Sequence, residues 1–526
     1  MKSERASLSL LFVFLIALAS CSKCGKTSST AGGVERVLPK GAVGVVVVPN
    51  LGAAGQKLKI LEALKVAAFA AQLRGFADGK GFADALVNEL GIDVRSAEAL
   101  EKAGVDGNGA AGIAALATGH GYLALPVKDA SKFHDKLKAL AAMRLGAGTV
   151  GEKKYGELTV KTFGTGDVPK LGYAIANGYA LVTDGAGIEK LAGIAAMTES
   201  DSLASDKGYA AEVAKLPAER DVVVYLPNGT PLLVQAPFTA VTGAVSLTTA
   251  GLAVSVNANW KGDVEQLAAL QPQQVKSLLG YLPADAFLVT RFSGDPAKLG
   301  PFAKQLLGPH LGRAFDEAGF DLKTQVLDQL QPGAVASLSL AEGAQLGGGM
   351  PELDIRRTNP FAYVNLSGVG AVKKAAEVLP TFEKIATIAP KFGAEMTVRD
   401  RADGQKAVIT TYSQGEGVHF APKGDLVFFA SPVQRLEELV KSDGSGAAPS
   451  GLGDDAVSVV IDLNKLAASV RALPESAWGL GGFAIKATTV RWLDATDDLK
   501  RITLTVGAKE KVVQAKVVLT LGGAGK

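Results

Sequence analysis

Hydrophobic positions in this chain fall into short runs bounded by Pro, Gly and Asn, a pattern of strands and tight turns. Leu38-Pro39-Lys40-Gly41-Ala42 opens an apolar run over 43–48, and Leu282-Pro283-Ala284-Asp285-Ala286 opens another over 287–292. Residues 158–163, 172–176 and 179–183 read as short strands, with Asn177-Gly178 as a hairpin turn between the last two. Residues 407–412, 417–421 and 425–430 repeat that meander. Helical spacing is predicted over 96–103, 129–142, 186–196, 369–386 and 432–441. Strands follow at 221–226 and 456–461, and each half ends in alternating strands.

These elements come in the same order twice. Glu89-Leu90-Gly91-Ile92-Asp93-Val94 matches Glu317-Ala318-Gly319-Phe320-Asp321-Leu322, each a helix end with Gly as its stop. Residues 109–114 match 332–337, and Gly121-Tyr122-Leu123-Ala124-Leu125 matches 361–366. The predicted fold is α+β: two homologous modules, 37–275 and 276–526. Each is a meandering, mainly antiparallel sheet with helices packed on one face.

The N-terminus carries different information. Lys2 and Arg5 precede an 11-residue apolar stretch, 8–18, too short to span a bilayer as a helix. Leu18-Ala19-Ser20-Cys21 follows it and resembles the lipobox of bacterial lipoproteins. That resemblance implies a signal peptide over 1–20, a diacylglycerol thioether on Cys21 and an acylated new N-terminus. Several acyl chains together give stable anchoring, where one is marginal. Ser22, in place of Asp, implies outer-membrane sorting by the enteric rule. Residues 21–36 are rich in Ser, Gly, Thr and Lys and read as a lipidated flexible tether. Cys21 and Cys24 are the only cysteines. Their C-x-x-C spacing lies in no βαβ setting, so redox work is not expected.

Composition narrows the function classes. Hydrophobic residues make up 48%, enough for large cores. With 55 basic and 52 acidic side chains there is no basic field for nucleic acid. Gly107-Asn108-Gly109-Ala110-Ala111-Gly112 satisfies G-x-G-x-x-G, but a dinucleotide site needs a strand before it and a helix after it. Here the order is reversed, and a Gly-rich turn is expected. Asp106-Gly107-Asn108-Gly109 lacks the further carboxylates of a calcium loop. His120, His134, His310 and His419 have no metal-ligand spacing, and His134, among Lys132, Asp135 and Lys136, is expected to face solvent. No cofactor, metal or catalytic set is therefore expected. Residues 222–260 carry no charge, yet Pro227, Pro231 and Pro237 interrupt them, and Thr249-Ala250-Gly251 reads as a hairpin turn. Residues 341–360 form an insertion in the second module, and its Arg356 and Arg357 are the candidate contact residues.

The Leu-Pro-x-x-Ala strand starts, the Gly-Ile-Asp turn and the Tyr-Leu-Ala-Leu-Pro segment resemble a domain-of-unknown-function family of bacterial envelope proteins. The resemblance covers most of 37–466 and implies no catalytic residues. The sequence expectation is a non-enzymatic envelope lipoprotein that binds or scaffolds another envelope protein, held to the membrane through lipid on Cys21. A periplasmic carrier of a hydrophobic ligand or lipid is the alternative, and a hydrolase with a spatially assembled site the third reading.

Overall fold

The computed structural model describes residues 33–522, apart from 66–67, 69–79, 82–83, 85–90, 147–148, 156–157, 166–167, 303–315, 317–318, 345–359, 413–414 and 479–481. Cys21, the signal peptide, most of the tether, His310, Arg356 and Arg357 lie outside the described residues. No helix among the described residues is long and apolar enough to cross a membrane. The chain divides into two compact units that part between Lys261 and Gly262, with the chain from Leu521 assigned to the first. The sequence reading places that join at 275/276.

The first unit is built on β1 (Gly44–Val48), β2 (Ala111–Ala115), β3 (Gly121–Pro126), β4 (Thr149–Tyr155), β5 (Leu158–Thr165), β6 (Val168–Ala176), β7 (Tyr179–Asp184), β8 (Val222–Leu226), β9 (Phe238–Thr248) and β10 (Gly251–Trp260). Every pairing is antiparallel, in the order β4-β5-β6-β7-β3-β2-β1-β8-β9-β10. The β6–β7 turn has positive φ at both Asn177 and Gly178, as a twisted two-residue hairpin requires. The uncharged stretch forms β8 and the β9–β10 hairpin, as expected from its turn residues.

Helices cover both faces of this sheet, which corrects the expectation of one covered face. Val45 and Val47 of β1 pack with Ile188 and Leu191 of α4 (Ile188–Ala195) and Tyr209 of α5 (Lys207–Ala214). Val46 and Val48 pack with Leu51 and Ala54 of α1 (Leu51–Glu62), Leu100 of α2 (Ala97–Lys102) and Phe133 of α3 (Ala130–Leu145). A strand buried on both sides is apolar at every position, and the unbroken valines of β1 carry that signal. Val34, assigned by sequence to the tether, and Val37, at the start of the first module, form a turn of 3₁₀ helix inside the first of these cores.

The second unit contains β11 (Leu288–Phe292), β12 (Leu330–Leu340), β13 (Val364–Val372), β14 (Ala394–Asp400), β15 (Lys406–Tyr412), β16 (Gly415–Glu416), β17 (His419–Lys423), β18 (Leu426–Ser431), β19 (Val457–Asp462), β20 (Leu499–Lys509) and β21 (Val512–Leu521). Its antiparallel order is β14-β15-β17-β18-β13-β12-β11-β19-β20. Between them lie α6 (Leu322–Gln325), α7 (Ala375–Ile388), α8 (Val433–Lys441), α9 (Leu463–Arg471) and α10 (Gly482–Ala495). Phe428 faces Leu436 and Leu439 of α8, while Val427 faces Val378 and Phe382 of α7. The helix expected over 369–386 begins only at Ala375. Residues 369–372 instead extend β13 against β18, where Gly368 lies so close to the Phe429 ring that a Cβ would come within 2.2 Å of it.

Candidate functional site

The first unit holds a cleft of about 530 Å³ where β1 hands over to α1. Asn50 caps the helix, its Oδ1 accepting from the Ala53 N–H at 2.8 Å. The Gly52 N–H donates to the Gly107 carbonyl at 2.7 Å, and the Leu51 N–H to that of Gly109 at 3.1 Å. These bonds fasten the first turn of α1 to the Gly-rich turn. A Cβ on Gly52 would lie 2.8 Å from the Gly107 oxygen, so the contact requires glycine. Asp106 Oδ1 accepts from the Asn108 N–H at 3.0 Å and shapes the turn from within.

Further along α1, Lys57 forms the inner wall. Its Nζ lies 2.9 and 3.0 Å from the two carboxylate oxygens of Asp221, and both side chains are buried, at 6% and 4% exposure. Asp221 Oδ2 also accepts from the Leu247 N–H at 2.9 Å. At the rim, Lys128 Nζ donates to Glu101 Oε1 at 2.6 Å. That hydrogen bond raises the lysine pKa and lowers the glutamate's. The amides of Asn50, Gln56 and Asn108 and the hydroxyl of Thr249 complete the polar lining. The lysines at the wall and rim are thus each matched to a carboxylate. The amides offer both donors and acceptors, which suits recognition of a polar molecule. No Ser, Cys, His or Tyr is among the described lining residues, and the hydroxyl there is that of Thr249.

The second and third glycines of the G-x-G-x-x-G run are explained by packing. A Cβ on Gly109 would meet Pro126 at 2.5 Å, and one on Gly112 would meet Leu38 at 2.9 Å. A helix precedes the motif and strand β2 follows it, the order expected of a turn. Among the described residues, no group of three or more His, Cys, Asp and Glu is placed to hold a metal.

The histidines are scattered. His120 Nδ1 lies 3.9 Å from Asp184 Oδ1. His134 does not stand out in solvent as expected. Its Nδ1 is 2.7 Å from the Tyr173 hydroxyl, and its ring stacks on Phe163 and Tyr173. Burial, and then the charge of Lys161, lowers the His134 pKa, while burial pushes Tyr173 up to about 12. His419 is fully buried. Its Nδ1 accepts from the Thr410 N–H at 3.1 Å, which leaves the neutral ring's proton on Nε2, 3.1 Å from Glu416 Oε2. The same carboxylate oxygen accepts from the Val433 N–H at the start of α8, at 2.8 Å.

Sequence reasoning missed the Lys57–Asp221 pair and a second hub. Arg95 meets Glu62 at 2.6 Å, Asp84 at 2.8 Å and Asp93 at 2.7 Å. The guanidinium lowers the Asp93 pKa, and Lys80 and then Arg95 lower that of Asp84. The second unit has a smaller hollow of about 250 Å³ beside Arg291, Gly333 and Asp454.

No family model matches this chain, and no curated protein matches it. Among solved structures, three crystal forms of TP0453 are similar to about half of it. Form I is 12% identical over 45% of this chain and 81% of that one, with a TM-score of 0.24. Form III is 9% identical over 48% and 96%, with a TM-score of 0.25. Form IV is 12% identical over 45% and 83%, with a TM-score of 0.26. Scores this low carry no conclusion about fold or role.

Proposed function

We propose that this protein is a non-enzymatic binding protein of the cell envelope, anchored through lipid on Cys21, that holds a small polar ligand in the cleft of its first unit. The observation that carries the binding role is the cleft lining: amides beside internally matched ion pairs, in a volume within the usual range of ligand sites. The anchoring rests on the sequence Leu18-Ala19-Ser20-Cys21 behind its apolar stretch. The outer membrane is the proposed location, and an envelope protein is the proposed partner of the loaded molecule. The carrier reading requires apolar space between sheet and helices, whereas Phe163, Leu181 and Leu191 fill those layers in the first unit.

We also propose that the two units descend from one duplicated module. What supports this is their common strand order: β4-β5-β6-β7-β3-β2-β1-β8-β9 of the first unit reads across as β14-β15-β17-β18-β13-β12-β11-β19-β20 of the second, with β1 and β11 in the same central place.

Metabolic labelling with a fatty-acid probe in the protein's own host tests the anchor. Label on the wild type and none on Cys21→Ala is expected, and an unlabelled, soluble wild type overturns it. Native mass spectrometry of the gently released protein tests the cleft. A polar adduct lost in Asn108→Ala supports it, and a lipid adduct retained in that variant favours the carrier.

A further inference from the structure

We infer that the loop between β8 and β9 dips into the lipid surface to which the chain is tethered. Residues 227–237 carry no charge. At their tip Leu232 and Val234 are 76% and 70% exposed, flanked by exposed Pro231, Gln235 and Pro237. Single exposed apolar residues are ordinary, but two large ones on one uncharged projection mark a contact surface.

The projection is held firmly. Thr230 is buried, and its hydroxyl lies 2.6 Å from the Val43 carbonyl and 2.7 Å from that of Pro227. Leu233 turns inward and is buried, so its neighbours point out. The Leu233 N–H donates to Thr230, and the Ala236 N–H to Leu233. Lys261 Nζ donates to the carbonyls of Leu233 and Ala236 at 3.0 and 2.9 Å, and its own N–H to that of Pro237 at 2.9 Å. Much of the tip's backbone is thereby satisfied from within, which entry into a medium without water demands. At its base Phe238 and Trp260 meet edge to face at 5.8 Å, and Lys261 follows Trp260 in the chain. Aromatic rings with a cationic neighbour suit the headgroup level of a bilayer.

The choice of occupant rests on the lipoprotein reading. Between Cys21 and Gly33 the chain spans at most about 40 Å when fully extended. A lipid on Cys21 therefore keeps the first unit next to a bilayer at all times, and a weak apolar contact gains from that high effective concentration.

The test uses the full chain from its own host, reconstituted into vesicles of phosphatidylethanolamine and phosphatidylglycerol. An environment-sensitive fluorophore is attached at Val234→Cys, or at Lys102→Cys on exposed α2, each with Cys24→Ser. Quenching by nitroxide-bearing lipid at position 234 and not at 102 is expected, with loss of vesicle contact by the loop when Leu232→Asp is added. Absent quenching at 234, or equal quenching at both positions, overturns the inference. So does a fluorophore at 234 that is shielded but unquenched, because a protein then covers the loop. Fatty-acid labelling of the same preparation separates the two readings. Labelled protein without quenching sinks the loop alone. Unlabelled protein that still binds vesicles through position 234 sinks the anchor alone.

Discussion

Lys57 and Asp221 illustrate how a buried charge commits its partner. Removing one member of such a pair leaves the other in a medium that solvates it poorly, at a cost of about 3–5 kcal/mol. Asp221→Ala should therefore lower the urea midpoint sharply, since it also strips the acceptor from the Leu247 N–H. The double variant Lys57→Met, Asp221→Leu should recover much of that loss, because an apolar pair of similar volume has no desolvation penalty. Equal stability of the single and double variants would show that the charge itself is not the issue. His419 makes a second residue-scale case. Burial holds its folded pKa below the ordinary 6.5, outweighing the hydrogen bond it donates to Glu416, which acts upward. Below about pH 6.5 the unfolded chain thus binds a proton that the folded chain refuses, and stability falls as pH drops from that value towards the folded pKa. Protonation on Nδ1 would also point a second donor at the Thr410 N–H. His419→Asn, whose Oδ1 can accept from Thr410, should be less stable at pH 8 but show a shallower loss between pH 7 and 5. An unchanged slope in paired thermal melts would remove His419 as its source.

At the scale of elements, two helical glycines make a matched comparison. Gly55 sits in α1 where a Cβ would fall 1.7 Å from the Val94 carbonyl oxygen. Gly193 sits exposed in α4 with nothing within 4 Å of that position. Gly193→Ala should stabilise by about 0.5–1 kcal/mol through helix propensity. Gly55→Ala should destabilise, because α1 must move off the chain at Val94; circular-dichroism melts of the two variants should shift in opposite directions. Propensity alone scores these positions alike, and this marks where sequence reading stops. Most strands were legible, because runs such as 158–163 and 179–183 end in turns with their own chemistry. The β9–β10 hairpin was legible from its turn residues. Residues 369–372 were misread as helix because Val-Gly-Ala-Val lacks a decisive period, and only pairing with β18 settles it. The second covered face was encoded in the unbroken valines of β1, but such a run does not say what covers it. The cleft was the least legible feature. The sequence separates Lys57 from Asp221 by 164 residues, and no local pattern announces their meeting. The Gly-rich turn was visible, but not that α1 closes against it.

At the scale of the whole chain, the boundary between the units carries a prediction of its own. Residues 262–275 follow the last strand of the first unit, so a cut at 275/276, where the repeat pattern places it, looks harmless. Their packing says otherwise. Leu267 and Ala269 are each 1% exposed, within a stretch that belongs to the second unit. Gly294 approaches the Ala269 carbonyl so closely that a Cβ would lie 1.8 Å from it. The Gln273 N–H donates to the Ser293 carbonyl at 3.0 Å, extending the chain along the end of β11. Each unit has its own apolar clusters, so each should fold alone when cut where the packing divides. Fragment 262–526 should melt cooperatively. Fragment 276–526 should be weaker by at least the burial of Leu267, about 1.5–3 kcal/mol, and should expose more dye-binding surface. Equal midpoints and equal dye binding for the two fragments would mean that residues 262–275 merely rest on the second unit, and that the repeat pattern marks the boundary correctly.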